Sequence, residues 1–254
     1  MSTSKVAQVT TVFWIMKICA TTLGETAGDL LAQTLRVGYG LSSVILVGLF
    51  LLTLAAQLFA RTFHPALYWT VILSTSTAGT TMSDFMDRSL GLGYATGSLL
   101  LITGLSIVLL LWQGSEKSLS VDNIRTKKAE AFYWIAILFS NTLGTAAGDY
   151  LADSSGLGFV GGAALVGSVL VLLLLATFFT KINRVLLFWL AFVLTRPFGA
   201  TFGDLLTKPA TKGGLNLGTA GSSLSLGAIL IALIVYVTLK DKRLAAKDNA
   251  GSNV

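Results

Sequence analysis

The sequence predicts an all-α integral membrane protein: eight transmembrane helices built as four copies of a two-helix unit. Three observations predict it: apolar stretches of span length, a scarcity of charge, and one motif that recurs four times. Of the 254 residues, 54% are hydrophobic and 12% charged, with a mean hydropathy of +0.77. A soluble domain carries about a quarter charged residues. Here the charge is moved out of long apolar runs, which is the composition a hydrocarbon solvent selects.

The repeat sets the register for every element. Trp14, Trp69, Trp134 and Trp189 lie 55, 65 and 55 residues apart. Aligned on them, four segments match without gaps: TTLGETAGDLLA (21–32), STAGTTMSDFMD (76–87), NTLGTAAGDYLA (141–152) and RPFGATFGDLLT (196–207). One column holds Asp29, Asp84, Asp149 and Asp204; another holds Gly24, Gly79, Gly144 and Gly199; a third holds Gly28, Ser83, Gly148 and Gly203. Nine residues after the first three aspartates comes a glycine turn, VGYG (37–40), LGYA (92–95) and LGFV (157–160). Its fourth copy, NLGTAG (216–221), arrives five residues later, after the insertion around KPATKGG.

The first span is expected near 10–31; its charged start is too weak for a signal peptide, so it reads as a retained helix. The second, near 41–60, is the run LSSVILVGLFLLTLAAQLFA. The third, near 66–87, carries the second motif, and the fourth, near 96–113, is apolar throughout. Spans near 131–152 and 160–179 repeat this pair, as do those near 185–207 and 219–239. Each apolar run is about 20 residues, enough to cross a ~30 Å core at 1.5 Å per residue. Pro197 is expected to kink the seventh span. The chain thus reads as a four-helix half at 1–120 (repeats about 10–60 and 66–113), a second half at 121–240 (repeats about 131–179 and 185–239), and a polar cytoplasmic tail at 241–254.

Lys and Arg orient the spans. Twelve flank one side (Lys5, Arg61, Lys117, Arg125, Lys127, Lys128, Lys181, Arg184, Lys240, Lys242, Arg243, Lys247) and four the other (Arg36, Arg88, Lys208, Lys212). Both termini are therefore expected in the cytoplasm, with the motif ends facing outward. An even number of spans per repeat gives all units one orientation, so their pseudo-symmetry axis is expected along the membrane normal. The net charge of +6 serves this topology and is not a nucleic-acid footprint.

On a helix, Thr22, Glu25, Thr26 and Asp29 fall on one arc that Gln33 extends; so do Thr77, Thr80, Thr81, Asp84 and Arg88, then Thr142, Thr145, Asp149 and Asp153, and Thr201, Asp204 and Lys208. The glycines and Ser83 fall on another face, where small-xxx-small spacing lets helix backbones approach closely. Carboxylates within spans are costly and face a cavity or a partner. Two readings stay open for the aspartates: caps and interhelical hydrogen bonds at the membrane surface, or a shared ion site. In the second, the four aspartates, Glu25 and the four threonines would form an oxygen-only site suited to Mn²⁺, Mg²⁺, Ca²⁺, Na⁺ or H⁺. Arg196 needs a carboxylate, Glu25 or an aspartate, in a pair that is a gate or a staple. Lys17 is expected to snorkel to the cytoplasmic face, and the four tryptophans to anchor their helices at that interface.

Cys19 and His64 are each alone of their kind, which excludes a disulfide framework and a soft-metal site. There is no HExxH, GxSxG or Walker loop. No enzyme activity and no cofactor are expected; the expected partners are the bilayer and a small cation, and not nucleic acid.

The fourfold GxxxGD pattern with its LGY turn resembles a family of bacterial multi-pass proteins catalogued as uncharacterised "membrane-anchored" proteins, over residues 10–240. The resemblance implies a bacterial inner-membrane location. The string GETAGD (24–29) is also similar to the Glu-x-Gly-Asp signature of a family of cation/proton exchangers. Two functions follow as expectations: a transporter or channel for a small cation or proton-coupled solute, or a non-transporting scaffold or assembly protein whose motifs only pack helices.

Overall fold

The computed structural model describes residues 6–124 and 126–251. Lys5 and Arg125, counted above for orientation, lie outside these, as does the Lys247 side chain. The described residues contain eight long α-helices and no strand: α1 (Thr11–Asp29), α2 (Tyr39–Phe59), α3 (Pro65–Asp84), α4 (Tyr94–Glu116), α5 (Lys127–Asp149), α6 (Gly158–Phe179), α7 (Arg184–Thr207) and α8 (Thr219–Gly251). Five of them, α2, α4, α6, α7 and α8 as far as Arg243, are long and apolar enough to cross a membrane. The other three, α1, α3 and α5, have 19, 20 and 23 residues, and the motif dilutes their hydropathy.

Local chemistry sets the helix ends. Oγ1 of Thr10 accepts from the Phe13 N–H at 3.3 Å, Oγ1 of Thr126 from Ala129 at 2.9 Å, and Oδ1 of Asn183 from Val185 at 2.8 Å, each satisfying an orphan donor. At the other end α1, α3 and α5 each run, directly after the motif aspartate, into one five-residue π-turn: Leu30–Thr34, Phe85–Ser89 and Tyr150–Ser154. The glycine of the following turn then takes a positive φ, at Gly38 (83°), Gly93 (73°), Gly158 (66°) and Gly218 (75°), a conformation open to a residue without Cβ. In the fourth copy the insertion replaces the π-turn with an extended Lys208 and a short 3₁₀ turn, Ala210–Lys212.

The motif helices form the inside of the molecule. α1 packs on α3, α3 on α5, α5 on α7 and α7 on α1, closing a ring. The same glycine contact recurs at each seam. A Cβ on Gly24 would strike Ser76; one on Gly79 would lie 3.0 Å from the Asn141–Thr142 backbone; one on Gly144 would lie 3.0 Å from Pro197 Cδ; one on Gly199 would lie 2.6 Å from Thr21 Oγ1. In the second small column, a Cβ on Gly28 would lie 2.9 Å from Thr80, on Gly148 2.8 Å from Ala200, and on Gly203 3.0 Å from Glu25, while Ser83 is fully buried. Small side chains here let the helices close on one another.

The remaining helices coat this ring, each on the inner helix of the next repeat: α2 on α3, α4 on α5, α6 on α7, and α8 back on α1. The two helices of a repeat are therefore not a packed hairpin, although they read as one in sequence. Their outward faces are apolar and exposed, for example at Val44, Leu52, Leu99, Leu110, Leu172 and Ile231, as lipid contact requires. α8 continues to Gly251, so the polar stretch from residue 241 to 251 is helical and continuous with the last span. Its Lys, Arg, Leu and Ala content favours that continuation. Pro197 lies inside α7, which runs unbroken through it.

Candidate functional site

The inner-facing residues are four apart, one helical turn at a time. Counting from each motif aspartate places Glu25, Thr80, Thr145 and Ala200 one turn back. Thr21, Ser76, Asn141 and Arg196 stand two turns back, and Lys17, Ile72, Ile137 and Phe192 three. One turn forward stand Gln33, Arg88, Asp153 and Lys208.

Arg196 marks the centre of the ring. From α7, its guanidinium reaches all three other inner helices while fully buried. Nη1 donates to Glu25 Oε2 on α1 at 3.0 Å; Nη2 donates to the Ser76 carbonyl (3.3 Å) and the Thr80 hydroxyl on α3, and to the Thr145 hydroxyl on α5 (2.7 Å). Thr80 and Thr145 also lie 3.3 and 3.5 Å from Glu25 Oε2. The charge is thus both paired and hydrogen-bonded, which a buried guanidinium requires.

The aspartates are joined by two further cations. Arg88 sits between neighbouring helices, with Nε 2.7 Å from Asp84 Oδ1 and Nη2 3.0 Å from Asp149 Oδ2; Asp153 lies 3.8 Å away. Tyr94 flanks it, its ring 5.4 Å from the guanidinium carbon and its hydroxyl donating to Asp153 at 3.2 Å. Lys208 does the same at the opposite seam, 2.6 Å from Asp29 Oδ2 and 3.1 Å from Asp204 Oδ1. Gln33 completes the Asp29 shell by donating to its Oδ1. Lys208 follows the end of α7; burial opposes its charge, but Asp204 and Asp29 overcome that and raise its pKa above the ordinary lysine value.

Between these pairs, one carboxyl oxygen each of Glu25, Asp149 and Asp204 lie within 4.8 Å of one another, all buried. Three helices thus supply one oxygen cluster of the kind that holds a hard cation or a proton. Five carboxylates (Glu25, Asp29, Asp84, Asp149, Asp204) share three paired cations, Arg88, Arg196 and Lys208. Lys17, deeper in the ring, has no carboxylate against it among the described residues: its ammonium donates to Asn141 Oδ1 at 3.4 Å and lies 4.0 Å from the Phe192 ring centre. Asn141 in turn donates to Thr75 at 2.7 Å.

Several sequence expectations fall differently. Thr22, Thr77, Thr142 and Thr201 do not reach the carboxylates. Each hydroxyl donates to a carbonyl of its own helix: Ile18 (2.9 Å), Ser74 (3.0 Å), Leu138 (2.9 Å) and Pro197 (2.9 Å) respectively. They sit to the side of the four-apart column, so back-bonding is their nearest outlet. Lys17 does not snorkel; it is fully buried. Three of the four tryptophans are not lipid-facing anchors either, and Trp14 is half-buried. Trp69, Trp134 and Trp189 are buried, and each repeat tryptophan packs on the aromatic ring of the preceding inner helix: Phe13 on Trp69 (5.5 Å), Tyr68 on Trp134 (5.5 Å), Tyr133 on Trp189 (6.3 Å) and Phe188 on Trp14 (5.8 Å). With the Tyr68–Tyr133 hydroxyl pair inside it, this circuit seals the end of the ring remote from the aspartates. Thr80, Thr145, Arg88 and Lys208, which share the polar arcs of their aspartates but stood outside the candidate ion site, do join the network, and each lies four residues from its aspartate.

Inner helices packed through small residues, a buried charge network and an apolar outer coat define a helical membrane protein built from repeats. The chain belongs to the family described as a Repeat of Unknown Function (DUF347), which matches residues 12–63, 67–118, 132–183 and 187–243. No curated protein and no solved structure matches it.

Proposed function

We propose that the protein is a transporter of a small cation, coupled to or competing with protons, and that Glu25, Asp149 and Asp204 form its binding site. In this reading all eight helices span a bacterial inner membrane, the four repeats surround an axis along the membrane normal, and both termini are cytoplasmic. The carboxylates then sit in the outward half. The chain has no catalytic role, and residues 1–120 and 121–240 act as two pseudo-equivalent halves.

The observation that carries the reading is the meeting of three carboxyl oxygens from three helices within 4.8 Å. With five carboxylates against three paired cations, the cluster keeps an excess of negative charge, and in a low dielectric that excess is balanced by protons or a bound cation. Oxygen-only ligands favour hard ions. The buried Arg196–Glu25 pair and the aromatic circuit block a continuous axial path, which favours alternating access over an open channel. A scaffold is the second reading: Arg88, Arg196 and Lys208 each join carboxylates to a neighbouring helix and would staple the ring with nothing passing through.

Proteoliposomes loaded with a pH-sensitive dye test the choice. Uptake of Mn²⁺, Mg²⁺, Ca²⁺ or Na⁺, or ion-driven proton movement, is expected for the native protein and lost in Glu25→Gln, Asp149→Asn and Asp204→Asn at equal reconstitution. A native protein that moves none of these ions, with variants that lose folding stability, leaves the staple.

A further inference from the structure

A cavity of about 370 Å³ opens between α1, α6 and α7, away from the carboxylates. Its walls are apolar, chiefly Trp14, Ile18, Leu170, Leu174, Phe188 and Ala191. Among the described residues α8 contributes nothing to the lining, because each outer helix covers the inner helix of the next repeat and leaves this stretch of the α1–α7 seam bare. Thr195, at the deep end, is already satisfied: its hydroxyl donates to Phe192 and its carbonyl accepts from Thr21. The opposite end is basic. Arg184 lines it, and Lys181 is exposed on the loop just beyond. Arg184 spends one N–H on the Thr177 carbonyl; a guanidinium has five.

The dimensions suit one class of ligand. From Arg184 to Thr195 the helix rises about 16 Å, roughly half of a ~30 Å hydrocarbon core. The slot is therefore one leaflet deep, apolar along its length and, among the described residues, cationic only at the headgroup level. Basic pockets between membrane helices at that level recognise anionic headgroups.

We propose that this slot is a binding site for an anionic diacyl phospholipid from the leaflet on the side of the chain termini. One acyl chain lies along Trp14, Leu174 and Ala191, and the headgroup phosphate rests on Arg184 and Lys181. The site stands whether or not the carboxylate cluster carries an ion.

Native mass spectrometry of the purified protein tests it, with phosphatidylglycerol and phosphatidylcholine of identical chains as probes. Phosphatidylglycerol is expected to be retained about tenfold better. Arg184→Gln with Lys181→Gln removes that preference, whereas Arg36→Gln with Lys212→Gln, at the far end, leaves it. Ala191→Phe, which fills the slot, lowers retention of both lipids at unchanged helix content by circular dichroism. Equal retention of the two lipids by the native protein overturns the proposal, as does a preference that survives loss of Arg184 and Lys181. Inorganic phosphate that displaces the lipid completely would also overturn it, since the acyl slot would then contribute nothing.

Discussion

At the scale of single residues, Arg196 holds the most concentrated interaction in the molecule. Its contacts to Glu25, Ser76, Thr80 and Thr145 tie α7 to the other three inner helices. Removing one member of a buried pair leaves the other charged and unpaired, at a cost of about 3–5 kcal/mol. Arg196→Met and Glu25→Gln are each expected to lower stability by that order in denaturant titration of the detergent-solubilised protein. The double variant should recover much of the loss; simple addition of the two effects would show that the pair is not coupled. Lys208 gives a pH prediction. Its folded pKa is raised, so its ion pairs are fully present below the unfolded lysine value of about 10.4 and are lost only as pH climbs through the higher folded value. The destabilisation caused by Lys208→Met should therefore stay constant from about pH 7 to about pH 9. A steady shrinkage across that window would contradict it.

At the scale of elements, the small columns decide how closely helices meet. A Cβ placed on Gly79 would lie 3.0 Å from the α5 backbone, whereas among the described residues nothing lies within 4 Å of one placed on Gly48 of α2. Gly79→Leu is expected to cost about 1–3 kcal/mol through overpacking, and Gly48→Ala almost nothing; equal effects on thermal unfolding would refute the close-approach account. These helices were largely legible beforehand. Apolar runs and the Trp, Gly and Asp columns set element ends to within a few residues, except the far end of α8, and the glycine turns gave the breaks. Apart from the carboxylate partner of Arg196, which is Glu25, the partners of the polar residues were not legible. The arc around Asp29 admits both Thr22 and Glu25, and only the real direction toward the ring centre separates a back-bonded threonine from a network carboxylate. Nor does a tryptophan's place in sequence reveal whether it faces lipid or a neighbouring ring; Trp134 is fully buried because Tyr68 of the previous inner helix covers it. The repeat spacing likewise cannot say that α2 packs on α3 and not on α1.

At the scale of the whole molecule, orientation is open to a direct test. Ser155, on the aspartate side, and Lys181, on the side of the termini, are both exposed. In intact bacterial cells a membrane-impermeant thiol reagent is expected to label Ser155→Cys, and to label Lys181→Cys only after permeabilisation; Cys19 is buried and should stay silent. The reverse pattern would invert the topology and put the carboxylates on the cytoplasmic side.

Because every outer helix leans on the following repeat, with α8 returning to α1, no repeat contains its own packing partner. Each lends an arm to its neighbour, as in a domain-swapped assembly whose four members share one polypeptide. A lone repeat has nowhere to fold except among copies of itself, so the present chain looks like a homotetramer fused end to end. Its halves, cut in the linker near residue 120 and co-expressed, should find each other again, because the clasps lie between units and not within them.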